Sequence, residues 1–320
     1  MHRADPPATD RAPGDRRPGL VVFGILELVI GLALAALAPL SVLAAFLASS
    51  VDLAVVVPSV ALYCVMGCAF VALGVGTIRA RRWACALSLS VAWIWLLTGI
   101  CTVVATWSVA PRLWRDLALD FGLSAAAAGW LSLGINGFLV LVYLVVPTVF
   151  VLFFRSPRTI ETCRRRDPSA GWPGEIPQRL LALAVAYAVG GLSVLAMPAY
   201  GFVFPVFGVV LSGWPGGLLW TGVAALAAVL TWGTIQRRIW AWRLAMAASV
   251  LAGVSCAITF AVVAPEDLVS AMRLPPEHQL LFDLLWPSSP SIQAIGWLLV
   301  WGSLTGYLVA VKGRFGSRDG

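Results

Sequence analysis

From Leu20 to Leu47 the chain runs 28 residues with one charged side chain, Glu27, and seven further stretches of about 20 residues are nearly as apolar. Runs of this length meet hydrocarbon as helices, because only a helix satisfies its own backbone N–H and C=O groups without water. The expected spans are 20–47, 55–78, 83–107, 133–154, 179–198, 214–234, 239–263 and 291–311. The third follows the second almost directly, and the seventh the sixth, so each of those pairs reads as a tight hairpin. A chain of 320 residues that is 60% hydrophobic and 12% charged, with mean hydropathy +0.90, is not a pair of soluble domains. No stretch between the spans exceeds roughly 30 residues, too short for a soluble catalytic core of its own. The fold class expected is therefore all-α, a polytopic integral membrane protein with eight transmembrane helices.

Sidedness follows from the basic residues, which are retained on the cytoplasmic side of short loops. Arg3, Arg11, Arg16 and Arg17 lie in the N-terminal tail, and Arg79, Arg81 and Arg82 in the turn after the second span. Arg155, Arg158, Arg164, Arg165, Arg166 and Arg179 lie around the central linker, Arg237, Arg238 and Arg243 at the turn after the sixth span, and Lys312, Arg314 and Arg318 at the C-terminal end. Only Arg112, Arg115 and Arg273 fall on the alternate loops, so both termini are predicted cytoplasmic. The net charge of +7 is thus a topology signal with some attraction for anionic lipid; clusters this short at helix ends do not read as a nucleic-acid surface. The run from Leu20 to Leu47 exceeds the apolar core of a signal peptide and is read as a retained span. Twenty-one Arg against one Lys, with abundant Ala, points to a GC-rich bacterial gene and hence to the plasma membrane.

An internal repeat adds a second constraint. Gly76-Thr77-Ile78-Arg79-Ala80-Arg81-Arg82-Trp83-Ala84 aligns with Gly233-Thr234-Ile235-Gln236-Arg237-Arg238-Ile239-Trp240-Ala241, identical at Gly, Thr, Ile, Arg, Trp and Ala, at an offset near 157. The same offset pairs Pro58 with Pro215, Ile135 and Asn136 with Ile292 and Gln293, and Arg155 with Lys312. The predicted organisation is a cytoplasmic tail 1–19, a four-helix repeat 20–154, a cytoplasmic linker 155–178, a second four-helix repeat 179–311 and a tail 312–320. An even number of spans per repeat makes the two copies parallel, related by an axis along the membrane normal.

Polar chemistry inside the spans is sparse. Glu27, roughly 10 Å in from Leu20 at 1.5 Å per residue, is the only carboxylate there. A charge at mid-membrane costs about 2.5–3.5 kcal/mol, so Glu27 is expected to face the bundle interior and be protonated, hydrogen-bonded or paired with Arg79 or Arg82. It is a candidate proton-coupling or cavity residue, against the plainer reading of a helix-locking hydrogen bond. Asn136 and Gln293 stand at equivalent positions and either line a cavity between the repeats or tie down neighbouring loops. Arg79, Arg81, Arg82, Arg237 and Arg238 form two related basic rims, explicable by sidedness alone and otherwise candidate contacts for anionic lipid or a partner. Prolines 39, 58, 147, 198, 205 and 215 are expected to bend or break helices.

The six cysteines, Cys64, Cys68, Cys85, Cys101, Cys163 and Cys256, form no CxxC pair and read as small apolar packing residues. His278 with Asp283 is too sparse for a metal site. On the non-cytoplasmic side, Pro111–Phe121 and Pro265–Arg273, the latter continued by Gln279–Trp286, read as short amphipathic surface helices, and seven acidic residues gather there: Asp52, Asp116, Asp120, Glu266, Asp267, Glu277 and Asp283. Gly302 and Gly306 make a GxxxG that permits close helix contact or dimerisation. There is no Walker A loop, HExxH, nucleophile elbow or nucleotide fingerprint, and no catalytic residue, metal or cofactor is expected. The sequence reading is a non-enzymatic membrane-embedded interaction or assembly protein contacting lipid or a protein partner, including a second copy of itself. The alternative is a small transporter or lipid-handling protein with a cavity between the repeats.

Overall fold

The computed structural model describes residues 16–47, 53–120, 124–168, 176–272 and 290–316. In chain order the helices are α1 Arg17–Leu47, α2 Leu53–Ile78, α3 Arg82–Asp120, α4 Ala125–Val140, α5 Val146–Arg155, α6 Pro157–Arg166, α7 Gln178–Ser193, α8 Trp214–Ile235, α9 Ile239–Val262, α10 Pro265–Met272 and α11 Pro290–Val311. A π-helical segment, Leu141–Val145, joins α4 to α5, and a 3-10 segment, Val194–Tyr200, follows α7. Eight helical segments are long and apolar enough to cross a bilayer: Arg17–Ala44, Val56–Ile78, Arg82–Val104, Gly129–Arg155, Gln178–Tyr200, Trp214–Ile235, Ile239–Val262 and Ala294–Arg314. These coincide with the eight expected stretches and suggest a multi-pass membrane protein.

Neighbouring helices pair as hairpins. α1 packs along α2, α7 along α8, and α9 along α11, while α3 packs against α4, the π-helical segment and α5. The α1–α2 contact is set by glycine. A Cβ on Gly24 would stand 2.8 Å from the Gly74 carbonyl oxygen, and one on Gly74 would stand 2.7 Å from that of Gly24. Gly31 and Gly67 repeat the relationship further along the hairpin. Removing four side chains lets the two backbones touch, which is how apolar helices gain van der Waals energy where no hydrophobic force separates protein from lipid.

The two tight hairpins end in the same turn. Ala80 N–H donates to Thr77 O and Arg81 N–H to Gly76 O, both at 2.9 Å, with Ala80 left-handed at φ 53°. Arg237 N–H donates to Thr234 O at 3.0 Å and Arg238 N–H to Gly233 O at 2.9 Å, with Arg237 at φ 56°. This is the Schellman arrangement, which satisfies the last carbonyls of a helix. Gly76 lies under Trp83 and Ala84, and Gly233 under Trp240 and Ala241, where a Cβ would collide in either case. The aligned Gly, Trp and Ala therefore do the same packing job twice.

Two cores lie toward the arginine-bearing ends of the helices. The first gathers Leu20, Leu89, Phe150, Val151 and Phe154, with Phe23 stacked on Phe153 at 4.1 Å between ring centroids and edge-on to Phe150. The second gathers Leu180, Leu183, Leu230, Leu308, Val311 and Phe315, beside which Trp242 Nε1 donates to Leu308 O at 2.8 Å. The halves are joined where Gln178 Nε2 on α7 donates to Ala86 O and to Ser90 Oγ on α3, at 3.0 and 2.8 Å.

Several expectations change. The stretch after the third span is no separate surface helix: α3 continues without a break to Asp120. Pro111 does not stop it, since a helix that has already run many turns tolerates a kink better than a new end with unsatisfied carbonyls. The fourth span is preceded by helix from Ala125 rather than beginning at Leu133, capped by Ser124 Oγ accepting from Ala127 N–H at 3.2 Å. Pro205 bends no helix; it lies in a β-strand, Phe204–Val206, paired antiparallel with Val209–Leu211 through a turn at Phe207-Gly208, both at positive φ. This hairpin docks on α9, whose Ser255 and Thr259 hydroxyls accept the Phe207 and Gly208 N–H groups at 3.0 and 2.9 Å. The expected helix after Ala264-Pro265 is present as α10, and its Leu268 packs with Val203 and Phe260 beneath the hairpin. His278, Asp283 and the stretch 279–286 lie outside the described residues.

Candidate functional site

Glu27 lies three residues after Gly24 and four before Gly31, so helical spacing turns it to the α2-facing side of α1. It is 2% exposed. Neither Arg79 nor Arg82 meets it. The Thr77 side chain, one residue from the end of α2, and the Ser88 side chain, two turns into α3, hydrogen-bond its carboxyl. Thr77 Oγ1 and Ser88 Oγ are 3.4 Å apart. Both are fully buried, and Glu27 Oε2 has no hydrogen-bond partner. Three helices thus converge on one carboxyl group, with one of its oxygens still open. An oxygen in that position carries most of its desolvation cost uncompensated, about 1–3 kcal/mol for a neutral acceptor and more for a charged one.

The second half keeps one member of this cluster. Thr234, aligned with Thr77, is 1% exposed, but Ala184 and Ala245 stand where the offset places Glu27 and Ser88. Its polar groups lie elsewhere: Ser249 Oγ and Thr305 Oγ1 are 3.1 Å apart between α9 and α11, and the Tyr187 hydroxyl is buried without a hydrogen-bond partner.

Asn136 does not reach across to another helix. Its Nδ2 donates to Ser132 O at 2.9 Å and to Ser132 Oγ at 3.2 Å, one turn back on its own helix. Gln293 lies in the first turn of α11, and its side chain is outside the described residues.

The basic rim of the first half is built into a small docking structure. The linker is not plain coil, since it opens with α6, which lies against the start of α3. Past its end Asp167, 7% exposed, accepts the Arg82 backbone N–H at Oδ2 (3.2 Å) and the Arg81 guanidinium at Oδ1 (3.5 Å). A carboxylate on the first amides of α3 acts as an N-cap supplied from 85 residues away. Cys163 on α6 and Cys85 on α3 form a disulfide, which corrects the reading of these two cysteines as packing residues. Cys64, Cys68, Cys101 and Cys256 are free. Spacing gave no hint of the pair, because the two thiols meet only when α6 folds back under the α2–α3 turn. In the second half the rim is covered differently, by Gly316 N–H donating to Arg237 O at 3.0 Å and by Lys312 over the Trp242 ring. Among the described residues no three His, Cys, Asp or Glu side chains gather as a metal site. Comparison with family models, with curated proteins and with solved structures gives no match to this chain.

Proposed function

We propose that this chain is a membrane-embedded interaction or assembly protein of a bacterial plasma membrane, without catalytic activity, whose two parallel four-helix repeats, 20–154 and 179–311, have both termini on the cytoplasmic side. The observation that carries the reading is the state of the fourth helix in each repeat. Like the other spans, α4 and α11 expose large apolar side chains, Trp130 at 74% and Leu299 at 66%. On the same helices Gly129, Gly134 and Gly137, and Gly296, Gly302 and Gly306, have open space where a side chain would stand. Apolar helices with bare backbone are suited to close contact with another helix, because small residues let the axes approach. The matching turns at Gly76 to Ala84 and Gly233 to Ala241 support the repeat, and Arg79 with Arg238 at the rims suits anionic lipid headgroups.

Extraction in native lipid nanodiscs followed by native mass spectrometry tests the reading. A mass above one chain, from a second copy or another subunit, is expected, and Gly134→Leu or Gly302→Leu should reduce it. A lone chain in every preparation would count against assembly, and water-accessible positions deep between the repeats would favour a carrier. Reporter fusions at each terminus test sidedness, with both expected on the cytoplasmic side.

A further inference from the structure

We propose that Glu27, Thr77 and Ser88 form a proton-binding site, in which Glu27 Oε2 takes and releases the proton. The site does not depend on the assembly reading, since all three residues lie within the first half.

Placement carries the argument. One side chain comes from each of α1, α2 and α3, the carboxyl is almost wholly enclosed, and among the described residues its hydrogen-bonding neighbours are hydroxyls. A hydroxyl can donate to a carboxyl oxygen in either state, so Thr77 and Ser88 suit the charged carboxylate and equally the carbonyl oxygen of the neutral acid. A helix lock needs one of these states; this pair suits both. The open Oε2 is where the proton sits in the neutral state. The three side chains offer four oxygens, fewer than the roughly six or more that hard divalent cations take, which makes the proton the better-fitting ligand.

The charged positions on the converging elements are few. α1 carries Arg17, ten residues or about 15 Å from Glu27, and α2 carries none. The turn carries Arg79 and Arg81, the latter engaged by Asp167, and α3 carries Arg82 at its start, with Arg112, Arg115, Asp116 and Asp120 toward its far end. The remaining titratable residues are Tyr63, Cys64 and Cys68 on α2 and Cys101 on α3, with Cys85 held in its disulfide. Among the described residues, Thr77 and Ser88 hydrogen-bond the carboxyl. Thr77 adjoins the arginine-bearing turn, and the Gly24–Gly74 and Gly31–Gly67 contacts close the α1–α2 seam on either side of Glu27.

The test uses the full chain in nanodiscs, with dicyclohexylcarbodiimide, which couples to protonated carboxyls in apolar surroundings. The expected result is an adduct on the peptide containing Glu27, falling about tenfold per pH unit above its midpoint and unchanged when sodium replaces choline. Glu27→Gln should abolish the adduct and Glu27→Asp retain it. In parallel, the infrared carbonyl stretch of the protonated acid should be present in the wild type, shift in D2O, and be missing in Glu27→Gln. If that variant does not fold, the wild-type D2O shift and the Glu27→Asp adduct decide. Suppression of the adduct by sodium would make this a sodium site. A carbonyl band that D2O does not move would make Glu27 a permanently neutral packing residue, and absence of both band and adduct would leave a fixed carboxylate. Each of those three results overturns the proposal.

Discussion

Gly24 and Gly74 meet backbone to backbone, each standing where the other's Cβ would strike a carbonyl oxygen. One turn along, the same seam holds Glu27 against Thr77, so the depth of the carboxyl between the helices depends on these glycines. Gly74→Val should separate α1 from α2 and cost about 1–3 kcal/mol, as overpacking of a close contact does. Thermal unfolding in detergent measures this, and Gly222→Val, at a position with open space on α8, is the control expected to change little.

Asp167 caps α3 from the linker, and loss of an N-cap costs about 0.5–2 kcal/mol. Asp167→Ala is therefore expected to lower stability by about 1 kcal/mol. Arg81→Ala should cost less than about 0.5 kcal/mol, since the Arg81 side chain is 53% exposed and its ion pair is screened by water. Equal losses in the two variants would assign the effect to the ion pair and refute the cap.

The disulfide between Cys85 and Cys163 ties α6 to α3 across 78 residues of chain. Thiol alkylation of the denatured protein, purified without reductant because the proposed sidedness puts the linker in a reducing compartment, should modify Cys64, Cys68, Cys101 and Cys256 before reduction and the remaining two only after it. Cys85→Ser with Cys163→Ser should lower stability by about 2–4 kcal/mol, the usual effect of opening a long loop. Six cysteines alkylated without reductant would rule the bridge out.

Gln178 is the hydrogen-bonding link from α7 to α3. Hydrogen bonds between membrane helices average about 0.6 kcal/mol, and two from one side chain should make Gln178→Leu cost about 1 kcal/mol. Asn136→Leu should cost less than about 0.5 kcal/mol, because that amide is satisfied within its own helix and ties nothing to a neighbour. A larger loss in Asn136→Leu than in Gln178→Leu, read by the same unfolding assay, would reverse this ranking.

The spans were legible because hydropathy adds residue by residue along the chain, and any stretch such as Trp214–Ile235 must become helix in hydrocarbon whatever lies beside it. The tight turns were legible for a similar reason: Gly76, Trp83 and Ala84 form a short local unit that the chain spells out again at Gly233, Trp240 and Ala241. Glu27 was recognisable as an exception from its cost alone. Its partners were not, since Thr77 and Ser88 look like ordinary small polar residues until the rotation of three helices brings them to one point. The hairpin at Phe204–Leu211, the Cys85–Cys163 bridge and the Asp167 cap were hidden too, each depending on where a distant helix offers hydroxyls, a thiol or bare amides. Sequence alone determined which segments are long and apolar enough to cross a bilayer, because hydropathy acts on each segment separately. Only the tertiary structure decided which polar groups meet, because their pairing depends on segments far apart in the chain.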